Sequence, residues 1–508
     1  YAAPLLVELE EAGATITGDG GWRDLHARVR AAATLEAPIP AGLEAELRPY
    51  QLAGFRWMAR LSHWATGAVL ADDMGLGKTV QALTMMLARR DEGPTLVIAP
   101  TSLGFNWRRE AERFTPSLDV RLFQGGSDLG VLDDVGPGGV VVTSYGLAAR
   151  HADQLAEVSW GTLVFDEAQA LKNPATQRAK AARAIEAKFT IALTGTPVEN
   201  RSDELWSIMR VVVPGLLGGR QTFHHRYAVP IEKYGNESAA LALSSLVSPF
   251  VLRRLKRDVA KELPDRVETR LDVELGSVER SIYDAFRAEF LAALDEADEV
   301  KRFEVLAAIT RLRQLACHPG LVDPAFVGTS AKLVALSERL NELRTEGQRA
   351  LVFSQFTSLL DLVEPVLAGA EFRYLRIDGS TPAKQRETLV DEFQNGQVDV
   401  FLLSTRAGGQ GLNLTAATAV FHLDPWWNPA VEDQATDRAH RIGQSEPVTV
   451  YRMLALGTIE EAIYEMHADK RALVDSLLAG AGSSGALTPE ELRELVATGG
   501  YLAHDPRR

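Results

Sequence analysis

The sequence predicts an α/β protein with two lobes, each a mostly parallel sheet covered by helices, and with a helical insertion between the lobes. Short apolar runs alternate with helical patterns over residues 44–200 and again from about 326 to 476. Between about 200 and 325 the strand-like runs vanish, and long helical patterns take their place. Such alternation is typical of βαβ units, whose strands are parallel and whose ligands bind at the carboxyl ends of the strands.

The length of 508 residues is too great for one core, so we expect at least two domains. The predicted parts are an N-terminal segment (1–43), a first lobe with the start of a helical protrusion (44–250), a linker and helical insertion (251–325), a second lobe (326–476), and a flexible linker with a C-terminal helix (477–508). The sequence begins without Met and without a signal pattern, so we expect it to be part of a longer, truncated chain.

Composition narrows the class of protein. A net charge of −14 argues against a surface that binds nucleic acid everywhere, but it allows a local basic cleft, because charge acts over only about 10 Å in salt. We find no apolar run near the roughly 18 residues that span a membrane, so no membrane association is expected. The single cysteine, Cys317, excludes an internal disulfide and suits a reducing compartment, so we expect a cytoplasmic protein.

The stretch "AVLADDMGLGKTVQAL" (68–83) predicts a phosphate-binding turn between a buried strand and a helix. Gly75 and Gly77 let the backbone turn tightly and approach a ligand, and the N–H groups that begin the helix point at the turn. Lys78 is placed to reach the β- and γ-phosphates of ATP, and the Thr79 hydroxyl to bind Mg²⁺. An aspartate stands at the usual first glycine of this pattern, so an ordinary strand-to-helix turn remains the alternative.

A pair of carboxylates follows another apolar run, in "LVFDEAQ". Asp166 and Glu167 come directly after the predicted strand, at the sheet edge where the phosphate-binding turn is also expected. One carboxylate is needed to hold Mg²⁺ and the other to orient or deprotonate the attacking water, and we assign Asp166 and Glu167 to these roles in that order. A solvated acidic turn is the alternative, but the strand before the pair and the turn upstream favour catalysis.

Further motifs follow in order over about residues 44–475. They include "LRPYQLAGFRWM", "LVIAPTSL", "VVTSYG" and "LTGTPVEN", then "LRRLKRDVAKELPDR", "LRIDGSTP", "STRAGGQGLNLTAA", "DPWWNPA" and "DQATDRAHRIGQ". Together with the two motifs above, they resemble the SWI/SNF-type ATPases and DNA translocases of helicase superfamily two. The resemblance implies two RecA-like lobes, ATP and Mg²⁺ as cofactors, and double-stranded DNA as a partner.

The resemblance also implies roles for individual residues of the nucleotide site. Gln51 looks like the glutamine that reads the adenine edge, with an exposed helical glutamine as the alternative. The other implied nucleotide-binding residues are Asp73, Gly75, Gly77, Lys78, Thr79, Gln410, Gly411 and Gln434. Thr194, Gly195 and Thr196 look like the residues that couple the state of the phosphates to movement of the lobes, although a simple polar turn is the alternative.

Two arginines in the second lobe are candidates for an arginine finger. Arg438 and Arg441 are three residues apart, so on a helix they would share one face. Two guanidinium groups suit the charge that develops on a transferring γ-phosphoryl group. A surface face of salt bridges is the alternative.

The implied nucleic-acid contacts come from small or polar residues that follow strands in both lobes. They are Thr101, Ser102, Thr143, Ser144, Gln355, Gly379, Ser404 and Thr405. Such groups suit hydrogen bonds to phosphates rather than to bases, and turn formation is the alternative for each of them. The basic run 253–257 either is solvated or braces the lobes or contacts DNA.

The predicted function is an ATP-dependent motor that translocates on double-stranded DNA and remodels or displaces bound protein without separating the strands. A strand-separating helicase, an RNA-directed relative and a non-catalytic nucleic-acid tether are the alternatives. The tether requires a missing catalytic group, whereas the lysine, both carboxylates and both arginines are present. The sequence leaves open which DNA-bound protein is the target, for example RNA polymerase or a nucleoid protein.

Overall fold

The structure, a computed structural model, describes residues 19–125, 130–195, 202–296, 302–396, 398–405 and 412–465. The chain divides into two compact units, and the boundary between them in the sequence lies between Lys261 and Glu262. Some predicted features lie outside the described residues, namely Thr196, Gln410, Gly411 and the C-terminal segment 477–508.

The first unit is built around a parallel sheet. Its strands are β1 (Gly67–Leu70), β2 (Thr95–Ala99), β3 (Asp119–Leu122), β4 (Gly139–Ser144), β5 (Trp160–Asp166), β6 (Ala187–Leu193) and β7 (Val251–Leu252). Within the described residues their order across the sheet is β3-β4-β2-β5-β6-β1-β7, and every neighbouring pair is parallel. Strands β1 and β2 are buried along their whole length, because helices cover both faces and apolar runs therefore fill these strands.

Helices surround this sheet. Those of the first unit are α1 (Gly20–Ala33), α2 (Pro49–Leu61), α3 (Lys78–Ala88), α4 (Gly104–Phe114), α5 (Gly130–Asp133), α6 (Tyr145–Arg150), α7 (Ala152–Glu157), α8 (Gln177–Ala184), α9 (Ser202–Val212), α10 (Arg220–Phe223), α11 (Val229–Tyr234), α12 (Glu237–Val247) and α13 (Lys256–Val259). A π-helical turn, His224–Ala228, joins α10 to α11.

The second unit contains another all-parallel sheet. Its strands are β8 (Arg266–Val273), β9 (Ala350–Ser354), β10 (Tyr374–Ile377), β11 (Val400–Ser404), β12 (Ala419–His422) and β13 (Val448–Ala455), in the order β10-β11-β9-β12-β13-β8. Its helices are α14 (Ser277–Glu296), α15 (Arg302–Cys317), α16 (Ala331–Thr345), α17 (Thr357–Gly369), α18 (Ala383–Gln394) and α19 (Pro429–Thr436). The two sheets and their covering helices confirm the predicted fold class.

The prediction that strands vanish between about 200 and 325 is wrong. Strand β7 adds to the edge of the first sheet and β8 to the edge of the second. The sequence of β8, "RVETRLDV", is mostly polar because this edge strand is largely exposed, and Val267 is 48% exposed. A polar edge strand lacks the apolar run by which buried strands are recognised.

Hydrophobic packing completes each unit. Among the described residues, no helix combines the length and the apolar composition that crossing a bilayer requires. Cys317 is buried, and burial raises the pKa of its thiol well above the ordinary value.

Candidate functional site

The predicted phosphate-binding turn has the expected strand–turn–helix structure. Strand β1 ends at Leu70 and helix α3 begins at Lys78. Gly75 and Gly77 have φ angles of +79° and +74°, a left-handed conformation that glycine adopts without steric cost. A Cβ atom on Gly77 would also lie 2.5 Å from Nε2 of Gln51, so a larger residue would displace the Gln51 amide in addition to straining the backbone.

The ammonium group of Lys78 lies within this turn. Its Nζ donates to the backbone carbonyls of Asp72 and Asp73, at 2.6 and 3.2 Å. Burial lowers the pKa of Lys78, while the carboxylates of Glu167 and Asp166 act in the opposite direction. The lysine side chain is thus partly desolvated, an environment in which an anionic ligand stabilises its charged form.

The carboxylate pair lies at the end of β5, and β6 separates this strand from β1. The indole Nε1 of Trp107 donates to Oδ2 of Asp166 at 2.8 Å, and the backbone N–H of Glu167 donates to Oδ1 at 2.9 Å. Burial, together with the neighbouring Glu167, raises the pKa of Asp166 to about 7. These bonds fix the orientation of the Asp166 carboxylate.

Glu167 adopts an uncommon backbone conformation. Its φ of +51° is left-handed, which costs a residue with a side chain on the order of 1–3 kcal/mol. Nε2 of Gln169 donates to Oε2 of Glu167 at 2.7 Å, and Oε1 of Gln169 accepts from the Thr194 hydroxyl at 2.9 Å. Through one glutamine, Thr194 is therefore connected to the candidate general base.

Thr194 is also connected to the phosphate-binding turn. Its backbone N–H donates to the carbonyl of Leu70, the last residue of β1, at 3.1 Å. Gly195 follows, and a Cβ atom there would lie 3.1 Å from Cγ of Met74 in the turn. Thr194 and Gly195 thus lie beside the turn, and Thr194 is connected to Glu167 through Gln169; their coupling role stays a prediction.

The donors at this edge fit Mg²⁺. Asp166 supplies a carboxylate and Thr79 a half-buried hydroxyl, and Mg²⁺ in nucleotide sites takes one or two protein ligands and completes its shell with phosphate and water. Burial and then the neighbouring Glu167 raise the pKa of Asp166, and a divalent cation bound there would favour its ionised form. Among the described residues, no group of three or more His, Cys, Asp or Glu side chains could hold a metal ion.

Gln51 lies against the phosphate-binding turn. Its Nε2 donates to the carbonyl of Leu76 at 3.1 Å, and its Oε1 accepts from the backbone N–H of Arg48 at 3.0 Å. The implied contact with adenine stays a prediction. Asp73, another implied nucleotide ligand, accepts from the backbone N–H of Lys256 at 2.9 Å.

The prediction that Arg438 and Arg441 share a helical face is wrong. Helix α19 carries Gln434 but ends at Thr436, and both arginines lie in the turns that follow. The carbonyl of Arg438 accepts from the backbone N–H of Leu414 at 3.0 Å, so a distant segment occupies an acceptor that a continuing helix would use. Arg438 is buried, whereas Arg441 is half-buried, with Nη1 3.4 Å from the carbonyl of Leu412.

The nucleic-acid candidates of the first unit follow two neighbouring strands. Thr101 is exposed in the short turn after β2, to which Ser102 also belongs. Ser144 ends β4 and caps helix α6 with its hydroxyl. Thr143 is different, because it is buried in β4 and its hydroxyl is 3.2 Å from the carbonyl of Phe123. Its hydroxyl is engaged within the sheet, so it is the least suited of the set to contact a phosphate.

The candidates of the second unit follow three neighbouring strands. Gly379 is exposed after β10, and Ser404 and Thr405 are buried at the end of β11. Gln355 follows β9 and is half-buried, with Oε1 accepting from Nη1 of Arg313 at 3.1 Å. Because β10, β11 and β9 are adjacent, these residues share one edge of the second sheet.

Comparison with known proteins identifies the family. A sequence profile of the SNF2-related domain matches residues 50–321, more than half of the chain, and one of the helicase conserved C-terminal domain matches residues 331–443. This chain belongs to the SNF2-related family. The resemblance to SWI/SNF-type ATPases is therefore confirmed.

This SNF2-related chain is similar to a bacterial and a mouse protein. The Bacillus subtilis protein YwqA, which carries the name of an ATP-dependent helicase/translocase, is 39% identical over 93% of this chain and 53% of its own length. The mouse SWI/SNF-related matrix-associated actin-dependent regulator of chromatin subfamily A member 1 is 34% identical over 89% of this chain and 46% of its own length. This chain therefore spans about half the length of these curated relatives.

A solved structure is also similar to this SNF2-related chain. It is the Sulfolobus solfataricus SWI2/SNF2 ATPase core in complex with dsDNA, which is 35% identical. The match covers 91% of this chain and 99% of that chain, with a TM-score of 0.46.

Sequence reasoning missed several residues that organise the site of this SNF2-related chain. Trp107 and Gln169 hold the two carboxylates, and Tyr145 donates from its hydroxyl to the backbone carbonyl of Asp166 at 2.8 Å. Gln169 stands inside the "DEAQ" motif and could have been noticed there. Trp107 carries no such signal, because a tryptophan in an amphipathic helix is ordinarily part of a core, and Trp107 is indeed buried.

Proposed function

We propose that this chain is an ATP-dependent motor that hydrolyses ATP in its first unit and translocates on double-stranded DNA to displace or remodel bound protein. The observation that carries the proposal is the arrangement of one sheet edge. Along it, the neighbouring strands β4, β2, β5, β6 and β1 end in the Ser144 cap, the Thr101 turn, the acidic pair, Thr194 and the phosphate-binding turn. The candidate groups for DNA contact thus follow two neighbouring strands, and the candidate groups for ATP chemistry and coupling follow the next three strands of the same sheet.

The hydrolytic chemistry follows from the residues in the first unit. The backbone N–H groups at the start of α3 and the Nζ of Lys78 bind phosphate oxygens. Thr79 and Asp166 would hold Mg²⁺, which would offset the negative charge of the phosphates. Glu167 accepts a proton from the attacking water, and Gln169 holds its carboxylate in position for this step.

The second unit contributes two arginines to the nucleotide chemistry and several contacts to the DNA backbone. Arg438 and Arg441 stabilise the charge that develops on the transferring phosphoryl group. Gly379, Ser404, Thr405 and Gln355 supply contacts to the DNA backbone, with Thr101, Ser102 and Ser144 of the first unit. Alternating grip on one strand, driven by the state of the nucleotide, then produces directional movement.

Two features favour a motor on intact duplex over a strand-separating helicase. A helicase needs a wedge at the fork, such as a β-hairpin or an aromatic pin, but all strand pairs in the described residues are parallel, so none of them forms a hairpin. The nearest aromatic candidates are Trp426 and Trp427. The guanidinium of Arg313 lies 5.9 and 5.7 Å from their ring centroids and donates to the carbonyl of Pro425, which fixes this loop.

We expect duplex DNA to stimulate ATP hydrolysis more than single-stranded DNA or RNA does. Because the grip is on phosphates, stimulation should fall steeply with added salt and depend little on base sequence. Steady-state ATPase rates with each polynucleotide, and with none, measure this directly. A preference for single strands would favour the helicase. A rate that no nucleic acid changes would contradict the proposed coupling to DNA, and no hydrolysis under any condition would favour the non-catalytic tether.

A further inference from the structure

The segment that leads from the first unit into the second, residues 251–266, begins on the phosphate-binding turn. The carbonyl of Leu252 accepts from the backbone N–H of Ala71 at 2.7 Å. The carbonyl of Arg254 accepts from the backbone N–H of Asp73 at 3.0 Å. The carboxylate of Asp73 also accepts a hydrogen bond from the backbone N–H of Lys256. The linker segment therefore runs alongside the turn and is hydrogen-bonded to it at three places.

A buried ion pair strengthens this attachment. Nε of Arg254 donates to Oδ1 of Asp72 at 2.8 Å, and its Nη2 donates to Oδ2. The Asp72 side chain is fully buried and that of Arg254 is 13% exposed. Asp72 is the aspartate that replaces the usual first glycine of the phosphate-binding pattern. Its charge beside a phosphate site is neutralised by the linker, which accounts for a substitution that otherwise works against anion binding.

Arg254 also contacts the two helices that flank the site. Its Nη2 donates to Oε1 of Gln81 in α3 at 2.8 Å, and its Nη1 donates to the carbonyl of Tyr50 in α2. Its guanidinium lies 5.3 Å from the centroid of the Tyr50 ring. The planar fork of arginine makes these contacts simultaneously, and lysine has no equivalent geometry.

The other end of the linker segment is hydrogen-bonded to the turn of the second unit that carries Arg438 and Arg441, here called the arginine turn. Nε2 of His440 lies 2.9 Å from the carbonyl of Pro264, and His440 stands between Arg438 and Arg441. Arg266 then forms an ion pair with Asp433 of α19 at 2.6 Å. One short stretch of chain is thus bonded at its start to the phosphate-binding turn and at its end to the segment that carries both candidate finger arginines.

We propose that Arg254 is a positioning residue for ATP turnover. Through its ion pair with Asp72, it fixes the phosphate-binding turn to the linker segment, whose other end is bonded to the turn that carries Arg438 and Arg441. Arg254 itself contacts no nucleotide in this proposal. The proposal rests on the ATP hydrolysis proposed above. It adds that the linker segment couples the phosphate-binding turn to the arginine turn.

The test compares Arg254→Met and Arg254→Lys with the wild-type chain and with Lys261→Met. Lys261 is exposed on the same segment, so its replacement is a matched loss of one positive charge. We expect both Arg254 variants to lose about 100-fold in kcat, because a small misplacement of reacting groups has an effect of that order, while KM for ATP changes by less than about fivefold. Lys261→Met should behave as wild type.

A second variant keeps the test decisive if removal of Arg254 unfolds the chain. Inserting Gly-Ser-Gly-Ser between Lys261 and Glu262 leaves both attachments intact but lengthens the connection between them. We expect DNA-stimulated kcat to fall by at least tenfold, with unchanged affinity for ADP and an unchanged melting temperature.

Wild-type kcat in Arg254→Met or in the insertion variant overturns the proposal, as does full rescue by Arg254→Lys. Parallel losses of ADP affinity and kcat that follow the fraction of unfolded protein also overturn it, since they assign Arg254 a purely structural role. A wild-type chain that hydrolyses no ATP under any condition instead refutes the proposed function on which the proposal rests.

Discussion

Lys78→Ala and Glu167→Gln are both expected to abolish ATP hydrolysis, but only Lys78→Ala is expected to weaken ATP binding. Lys78 lies in the phosphate-binding turn, so its removal eliminates a contact with the phosphates. Glu167→Gln keeps the turn, Thr79 and Asp166, and it removes only the proton acceptor. Loss of a general base lowers turnover by roughly 10²- to 10⁴-fold, so ATP should remain bound and unhydrolysed.

Single-turnover hydrolysis and equilibrium binding of a fluorescent ATP analogue separate the two effects. Lys180→Ala and Glu157→Gln are matched controls, because both side chains are exposed in helices of the same unit. They should leave kcat and affinity at wild-type values. Near-normal turnover in Glu167→Gln would mean that another group is the base and that our assignment of Glu167 is wrong.

Replacing Arg438 or Arg441 with Ala is expected to lower kcat by about 10³-fold, the effect of losing an arginine finger. Both residues belong to the second unit, whereas the phosphate-binding turn belongs to the first, so the affinity for ADP should change little. Lysine at either position keeps the charge but loses the planar fork, and we expect it to restore only part of the rate.

Rates and ADP affinities are to be measured for each variant beside Arg373→Ala as a control. Arg373 is 65% exposed and forms a surface ion pair with Asp399, and such a pair contributes about 0–1 kcal/mol to stability. Arg438 is buried, so a melting curve must accompany its substitution. Equal losses of ADP affinity and turnover would indicate damage to the fold and would remove the support for a finger role.

The fold was predictable where strands are buried on both faces. Runs such as "TLVIA" in β2 and "VFLLS" in β11 are apolar throughout because helices cover both faces of each sheet. Strand β8 escaped prediction because it is an exposed edge strand. The end of α19 was also not predicted, because groups outside a continuing helix occupy the carbonyls that follow it. The backbone N–H of Leu414 donates to the carbonyl of Arg438, and the side-chain amide of Gln444 donates to that of Ala439.

The candidate site was predictable where its chemistry is local in sequence. The turn around Lys78 and the pair Asp166 and Glu167 each form one continuous motif at a strand end. The residues that orient them come from far away, since Trp107 is 59 residues from Asp166 and Arg254 is 182 residues from Asp72. Nothing in the local pattern indicates such partners, because the fold alone brings them together.

The most direct test of a motor on intact duplex is the displacement of a third strand from a triplex, run beside a forked duplex. The substrates share one duplex sequence, and the wild-type chain is compared with Glu167→Gln, which should bind ATP without hydrolysing it. We predict that the wild-type chain strips the triplex-forming strand in an ATP-dependent way and leaves the fork intact, and that Glu167→Gln does neither. ATP-driven unwinding of the fork without triplex displacement would contradict translocation on duplex DNA and identify the chain as a strand-separating helicase.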